Sequence, residues 1–290
     1  MRRVRVAVPN KGVMADGVLQ LLVDAGLDPR SHLGSRALEA PLGEGFDAVF
    51  VAAANIPEFV ADGAADAGIT GWDLVCESGR PLEMRLDVEL APCRLVLAAP
   101  AGTEVPEVTG LPAGTRVATV FPRLTREFFA SIGVDAEVVE VSGAVEITPR
   151  LGVADLIVDL VATGSTLKAN QLREIATILE SSARLVTRPV KEDEPELTAR
   201  LEQLELALES VVLGRRLRYL MANVPRDRLE EVRAILPGIG GPDVVELLDG
   251  GSLIAVQAVV ALARVSETIG ALKSIGSTGI VVTRIERFIP

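Results

Sequence analysis

A chain of 290 residues with 29 Lys and Arg against 40 Asp and Glu carries a formal net charge of -11. At 49% hydrophobic and 24% charged residues it has an ordinary folding composition, long enough for two or three domains with cores of their own. The acidic balance speaks against a nucleic-acid or anionic-membrane surface, and 3% aromatics leave little on which to stack bases.

Val4, Val6 and Val8 alternate with Arg3, Arg5 and Ala7, which reads as a strand over residues 4–8 and not as a secretory leader. Asn10-Lys11-Gly12 follows, then a helix over about residues 15–25 with Leu19, Leu22 and Val23 on its apolar face and Gly26 as its stop. His32, the single histidine, sits in a Ser/Gly-flanked stretch that reads as a loop, so a histidine-rich metal site is excluded. Strand 46–52, helix 57–61 and a short buried strand 67–70 lead to a turn at Gly71 and the only tryptophan, Trp72. Strands 95–99 and 116–120 flank a Pro/Gly/Thr-rich connection, residues 100–114, that reads as a domain crossing. Helix 123–132, strand 137–141, helix 144–151 and strand 156–161 continue a βαβα rhythm, which implies a largely parallel sheet with helices on its faces. Residues 192–196 are an acidic helix start suited to the positive end of the helix dipole. Beyond Gly214 the order is strand 218–224, helix 226–236, strands 244–248 and 253–260, helix 265–275 and strand 279–285, a ferredoxin-like βαββαβ module. No apolar run is long enough to span a bilayer, and Cys76 and Cys93 read as reduced thiols of a cytoplasmic protein. Neither a Walker loop nor Gly-x-Gly-x-x-Gly is present.

The segment richest in chemistry ends the strand over residues 156–161. There Thr163-Gly164-Ser165-Thr166 runs directly into a helix-capable stretch beginning at Leu167. Gly164 permits a tight turn, and successive N–H groups with three hydroxyls make a nest for a phosphate. Asp155 and Asp159, four apart, would point to one side of a strand and serve ribose hydroxyls or water around Mg²⁺. An ordinary turn with Ser/Thr capping and one solvent-facing acid is the competing reading. Asn10-Lys11-Gly12 and Gly71-Trp72-Asp73-Leu74 are two further strand-end turns, where ligands gather at the carboxyl edge of a parallel sheet.

Together these segments resemble the long form of the ATP phosphoribosyltransferase family, which opens histidine biosynthesis. The matching pieces are Val8-Pro9-Asn10-Lys11-Gly12, the run from Ile56 through Asp66, Gly68-Ile69-Thr70-Gly71 with Asp73-Leu74-Val75, Ser142-Gly143-Ala144-Val145-Glu146-Ile147, and the run from Asp155 through Leu167. Tyr219-Leu220-Met221, Pro237-Gly238, Leu272-Lys273 and Gly279-Ile280 match further on. The resemblance implies a two-domain α/β core similar to periplasmic binding proteins: residues 1–93 with 184–213 as one domain and 94–183 as the other. Residues 214–290 would be the ferredoxin-like regulatory domain.

The implied reaction joins ATP to phosphoribosyl pyrophosphate and releases pyrophosphate with Mg²⁺ present. By resemblance, Glu146, Asp155, Asp159, Thr163, Gly164, Ser165, Thr166 and Leu167 would bind phosphoribosyl pyrophosphate, and Asp155 or Asp159 would serve the metal, mainly through the substrate. Asn10, Lys11, Gly71, Asp73 and Leu74 would bind ATP, with Lys11, Asp155 and Asp159 as the catalytic set. L-Histidine would inhibit through Asn223, Asp243 and Ser277, and a dimer or hexamer is implied. Nucleic acid and membrane are not expected partners.

The chain departs from the family pattern at Val13, at Ala52-Ala53-Ala54, where a cationic residue is usual, and at Asp243. The alanine run motivates one alternative, a non-catalytic sensor that keeps the cleft. A solute-binding protein of similar architecture is a more distant one.

Overall fold

The computed structural model describes residues 3–30, 38–103, 107–237, 241–247 and 251–290; His32 and Gly238 lie outside the described residues. Strand β1 (Val4–Pro9) is buried along nearly its whole length, as a strand between two parallel neighbours must be. Those neighbours are β3 (Phe46–Val51) and β4 (Ala67–Gly71), while β2 (Glu39–Pro41) caps the edge antiparallel to β3. Helix α1 (Val13–Asp24) buries Val18, Leu21 and Leu22 at helical spacing. Helix α2 (Ile56–Ala61) starts with Pro57 in its first turn and packs Ile56 and Val60 onto β4. Close approach is possible because β4 carries Gly68, where a Cβ would lie 2.4 Å from Ile56 and 2.9 Å from Val60.

The centre of the core is a pair of long antiparallel strands, β5 (Glu83–Pro100) and β9 (Leu172–Thr187). Beyond them β8 (Leu156–Val161) pairs antiparallel with β5, and β6 (Thr115–Thr119) runs parallel to both β8 and β7 (Ala136–Glu140). Among the described residues the sheet has nine strands, in the order β2-β3-β1-β4-β9-β5-β8-β6-β7. Two parallel halves are thus joined through β5 and β9, the periplasmic-binding-protein-like core expected. Between Met84 and Cys93 the β5 register slips three times, and Glu89 and Ala91 take positive φ (56° and 48°). Such bulges bend and twist a strand where it passes from one half to the other.

Three expectations are corrected here. Residues 100–114 join β5 to β6 within one half of the sheet, so they are not the crossing; β5 and β9 are. Residues 144–151 form no helix beyond a 3-10 turn at Val145–Ile147, because Ala144 enters it with a left-handed φ of 53°. The stretch starting at Leu167 is also divided differently: helix α5 (Ser165–Ala169) comes first, and β9 begins at Leu172.

The chain forms two compact units, Met1–Val23 with Leu27–Glu205, and Asp24–Gly26 with Leu206–Pro290. Helix α3 (Trp72–Ser78) and helix α4 (Pro122–Ser131) belong to the first, and helix α6 (Pro195–Arg216) carries the chain from one to the other. The second unit is the expected βαββαβ module. Its strands are β10 (Leu217–Pro225), β11 (Asp243–Glu246), β12 (Leu253–Ala261) and β13 (Thr278–Arg284), in the antiparallel order β11-β12-β10-β13. Alternate residues Leu220, Ala222, Val224, Ile254, Val256 and Ala258 face α7 (Leu229–Ile235) and α8 (Val265–Ser274) and form one core with Val232 and Leu272. Among the described residues no helix is long and apolar enough to cross a membrane.

These contacts predict opposite outcomes for two glycine substitutions. Gly68→Ala pushes into Ile56 and Val60 and should destabilise the core by about 1–3 kcal/mol. Gly270→Ala, exposed in α8 with nothing within 4 Å of the new Cβ, should stabilise its helix by roughly 0.5–1 kcal/mol. Melting curves of the two variants check both signs.

Candidate functional site

The carboxyl ends of adjacent strands β1 and β4 bring two of the expected segments to one edge. Asn10 follows β1 and donates its N–H to Val51 O at 2.9 Å; Lys11 and Gly12 are exposed beside it, with Gly12 at φ 88°. Gly71 ends β4 and caps α3, whose first turn holds Asp73. The alanines at the end of β3 lie in the 3-10 turn Ala53–Asn55, pinned by Thr70 donating its hydroxyl to Ala53 O at 2.9 Å.

Asp73 is turned inward. Its side chain is 4% exposed, it accepts the Ser181 hydroxyl at 2.5 Å, and its own N–H donates back to Ser181 Oγ at 3.0 Å. Burial pushes the carboxyl pKa up, and the Ser181 hydroxyl with the N–H groups of Asp73 and Leu74 pulls partly against that. Gly71 is required for this arrangement, since a Cβ there would stand 2.4 Å from Asp73 Oδ1. Leu74 packs against the cluster built on Leu95, Leu97, Phe121 and Phe129. Expected as nucleotide contacts, both side chains are therefore engaged within the protein. Glu77, which the sequence did not single out, caps α4 by accepting the N–H groups of Arg123 and Leu124 at 2.8 and 2.9 Å.

In the other half of the sheet, β8 delivers the turn at residues 163–167. Gly164 takes a left-handed φ of 76° and caps α5, and the Thr163 and Ser165 hydroxyls lie 3.0 Å apart. The first-turn N–H groups of a helix have no acceptor of their own within it. Thr163, Ser165 and Thr166 are exposed, while Leu167 is buried and anchors the turn in the core. Asp159 is half-buried, accepts the Leu160 N–H at 2.8 Å and has its pKa raised, first by burial and further by the charge of Glu146. Glu146, Asp159 and the turn thus share one end of β8.

Asp155 does not join them. It precedes the first residue of β8, so the six-residue strand, about 20 Å at 3.3 Å per residue, separates it from the turn. Arg116 holds it there: the Arg116 N–H and guanidinium reach its two oxygens at 2.9 and 3.0 Å and keep its carboxyl below the ordinary range. The four-residue spacing with Asp159 did not disclose this, because only the β6–β8 register places Arg116 opposite.

A cavity of about 530 Å³ lies where β5 and β9 cross, lined by Val161 and Ala162 at the stem of the turn and by Ser181, Ser182, Arg184, Asp87, Cys93 and Arg94 among others. It connects the two groups: Ser181 on its wall is the partner of Asp73, and Ala162 on its wall enters the turn. None of the β5 and β9 residues was expected at the site, and no motif marks them. Among the described residues no group of three or more His, Cys, Asp or Glu could hold a metal ion.

Residues 52–210 match the family HisG: ATP phosphoribosyltransferase, and residues 214–287 match HisG, C-terminal domain. The chain belongs to the ATP phosphoribosyltransferase family, in its long form. An ATP phosphoribosyltransferase of Gemmatimonas aurantiaca is 52% identical over 291 residues, covering 99% of each chain. One of Methanopyrus kandleri is 43% identical over 287 residues, covering 99% of this chain and 100% of that one. The structure titled ATP phosphoribosyl transferase (HisG:HisZ) complex from Thermotoga maritima superposes with a TM-score of 0.60 at 28% identity, covering 71% of this chain and 98% of that one. The chain is accordingly an enzyme, an ATP phosphoribosyltransferase acting at the first step of histidine biosynthesis, and the sensor and solute-binding alternatives are set aside.

In the C-terminal module of this ATP phosphoribosyltransferase, Asn223 and Ser277 are brought together: Asn223 pairs with Thr278, the residue after Ser277, and the buried Ser277 Oγ has no hydrogen-bond partner among the described residues. Asp243 is not with them. It lies on β11, two strands from β10, roughly 10 Å at the usual strand spacing.

A carboxyl whose folded pKa is raised contributes stability at low pH that is lost as pH rises through that pKa. Ser181→Ala removes a donor that favours the ionised form of Asp73 against its burial, raising its pKa further. The variant should lose about 1–3 kcal/mol at neutral pH, with a melting-temperature deficit that narrows on acidification.

Proposed function

We propose that phosphoribosyl transfer to the adenine ring of ATP takes place over the β5–β9 crossing, with the turn at residues 163–167 as the cradle for the 5-phosphate of phosphoribosyl pyrophosphate. The observation that supports this most is the conjunction at the end of β8. A left-handed Gly164, an exposed Thr163–Ser165 hydroxyl pair and a helix start stand next to a half-buried Asp159 and Glu146. Backbone N–H groups and hydroxyls fix the phosphate, and Asp159 accepts from the ribose hydroxyls beside it.

Asn10 and Lys11, after the end of β1 in the other half of the sheet, face the pyrophosphate and ATP side. The two domains, residues 1–93 with 184–213 and residues 94–183, close over the pair. Displacement at the anomeric carbon asks for little covalent work, so positioning and charge stabilisation carry the rate.

Mg²⁺ fits this site as a companion of the substrate. Two carboxylates, Asp159 and Glu146, repel one another there, and a third ligand for an all-protein cage is missing among the described residues. When bound, the ion neutralises charge on the leaving pyrophosphate. L-Histidine inhibits through Asn223 and Ser277 of the C-terminal module, with Asp243 an outlying contact. A cytoplasmic homo-oligomer is the working form, which two free half-buried thiols suit.

Purified protein should release pyrophosphate from ATP and phosphoribosyl pyrophosphate with Mg²⁺, and histidine should suppress the release; no turnover would contradict the reading. Asp159→Ala and Thr166→Ala should each raise the KM for phosphoribosyl pyrophosphate at least about tenfold, the loss of one charge-assisted or nest contact. Asp155→Ala, at the far end of β8, should leave it within about twofold, because an exposed ion pair is worth little. Ser277→Ala should weaken histidine inhibition and leave the uninhibited rate unchanged.

A further inference from the structure

Arg184 lies on β9 opposite Asp87 of β5 and forms part of the wall of the cavity of about 530 Å³ at the crossing. Its guanidinium sits over the ring of Trp72, 4.5 Å from the centroid. A guanidinium carries five N–H donors and no acceptor. Here they are poorly used. Nη1 donates to Met84 Sδ at 3.1 Å, a weak acceptor, and the buried Nε has no hydrogen-bond partner among the described residues. The carboxylate facing it, Asp87, is 3.7 Å away and already accepts the Ser182 hydroxyl on both oxygens at 2.8 Å and the Glu89 N–H at 2.9 Å. The second cation on the cavity wall, Arg94, is different: Glu174 takes its two terminal nitrogens in a bidentate pair.

Arg184 is therefore a charged fork with spare donors, 20% exposed, on the wall of a cavity that is also lined by Val161 and Ala162, which lead into the turn proposed to hold phosphate. A guanidinium in that state matches the planar, doubly accepting edge of a phosphate. The aromatic face beneath it supplies a resting place that needs no hydrogen bonds. Asp87, Glu89 and Glu180 also line the cavity, so a polyphosphate would enter as its Mg²⁺ complex and not bare.

We propose that Arg184 is a binding residue for the polyphosphate oxygens of a substrate, held over Trp72 until the anion arrives. The assignment rests on the transferase reading above and adds to it a contact on β9. Two sources present the same chemistry, the triphosphate of ATP and the pyrophosphate of phosphoribosyl pyrophosphate.

Trp72 is the only tryptophan, so its emission reports on the guanidinium above it. Wild-type protein, Arg184→Gln and Arg184→Lys are titrated with inorganic pyrophosphate and Mg²⁺ by calorimetry and by Trp72 emission, and the KM of each substrate is measured. Arg184→Gln should bind pyrophosphate at least about tenfold more weakly, as expected for losing a hydrogen bond to a charged group, with no emission change and an unchanged melting temperature. Arg184→Lys, which keeps the charge and loses the fork, should fall between. A KM rise confined to one substrate identifies whose phosphates are held.

Unaltered pyrophosphate affinity in either variant, or wild-type emission that does not move at saturating pyrophosphate, overturns the proposal. Should Arg184→Gln not fold, Arg184→Lys and the wild-type emission decide it. Wild-type protein without turnover would count against the transferase reading alone, since the pyrophosphate titration judges Arg184 separately.

Discussion

The antiparallel pairing of β5 with β9 is the constraint on which the rest of the core depends. Every route from one half of the sheet to the other runs through these two strands, because β4 pairs only with β9 on its far side and β8 pairs with β5. Their crossing segment carries the register slips and the positive-φ residues Glu89 and Ala91, so it is bent where it passes between halves. It also carries Ser181, whose hydroxyl ties the first turn of α3 to the crossing through a buried carboxyl. A ligand that fills the cavity touches strands belonging to both halves.

Much of this was legible in the sequence. The strand ends that matter are punctuated by Gly12, Gly71 and Gly164, and the hydroxyl-rich turn after β8 stands out because Thr163, Ser165 and Thr166 surround a glycine directly after an apolar run. The C-terminal module was also readable, since β10 and β12 alternate buried and open positions with few interruptions. The crossing was not. In β5 the bulges between Met84 and Cys93 break the two-residue period on which a strand is recognised, and β9 is half-exposed through its first stretch, so its polar residues look like a loop. The side chains around the cavity come from those two strands, and so they escaped notice.

Asp155 and Asp73 show a second kind of illegibility. Spacing puts Asp155 and Asp159 on one side of a strand, but the outcome was decided by register: Arg116, on the neighbouring strand, binds Asp155. Asp73 sits in a motif matched to the family, yet its carboxylate is turned inward to Ser181, more than a hundred residues away in the chain. Both are cases of a long-range partner overriding a local pattern. The overall charge of -11 misleads in a related way, since it says nothing of how a few backbone N–H groups, three hydroxyls and one arginine can receive an anion locally.

The central claim is that substrate binding joins the turn after β8 to the β5–β9 crossing. Amide hydrogen exchange with and without phosphoribosyl pyrophosphate and Mg²⁺ tests it most directly. The account predicts slowed exchange in two separate places, residues 162–170 and the crossing segments 87–93 and 181–184. Protection of the turn with no change at the crossing would contradict it.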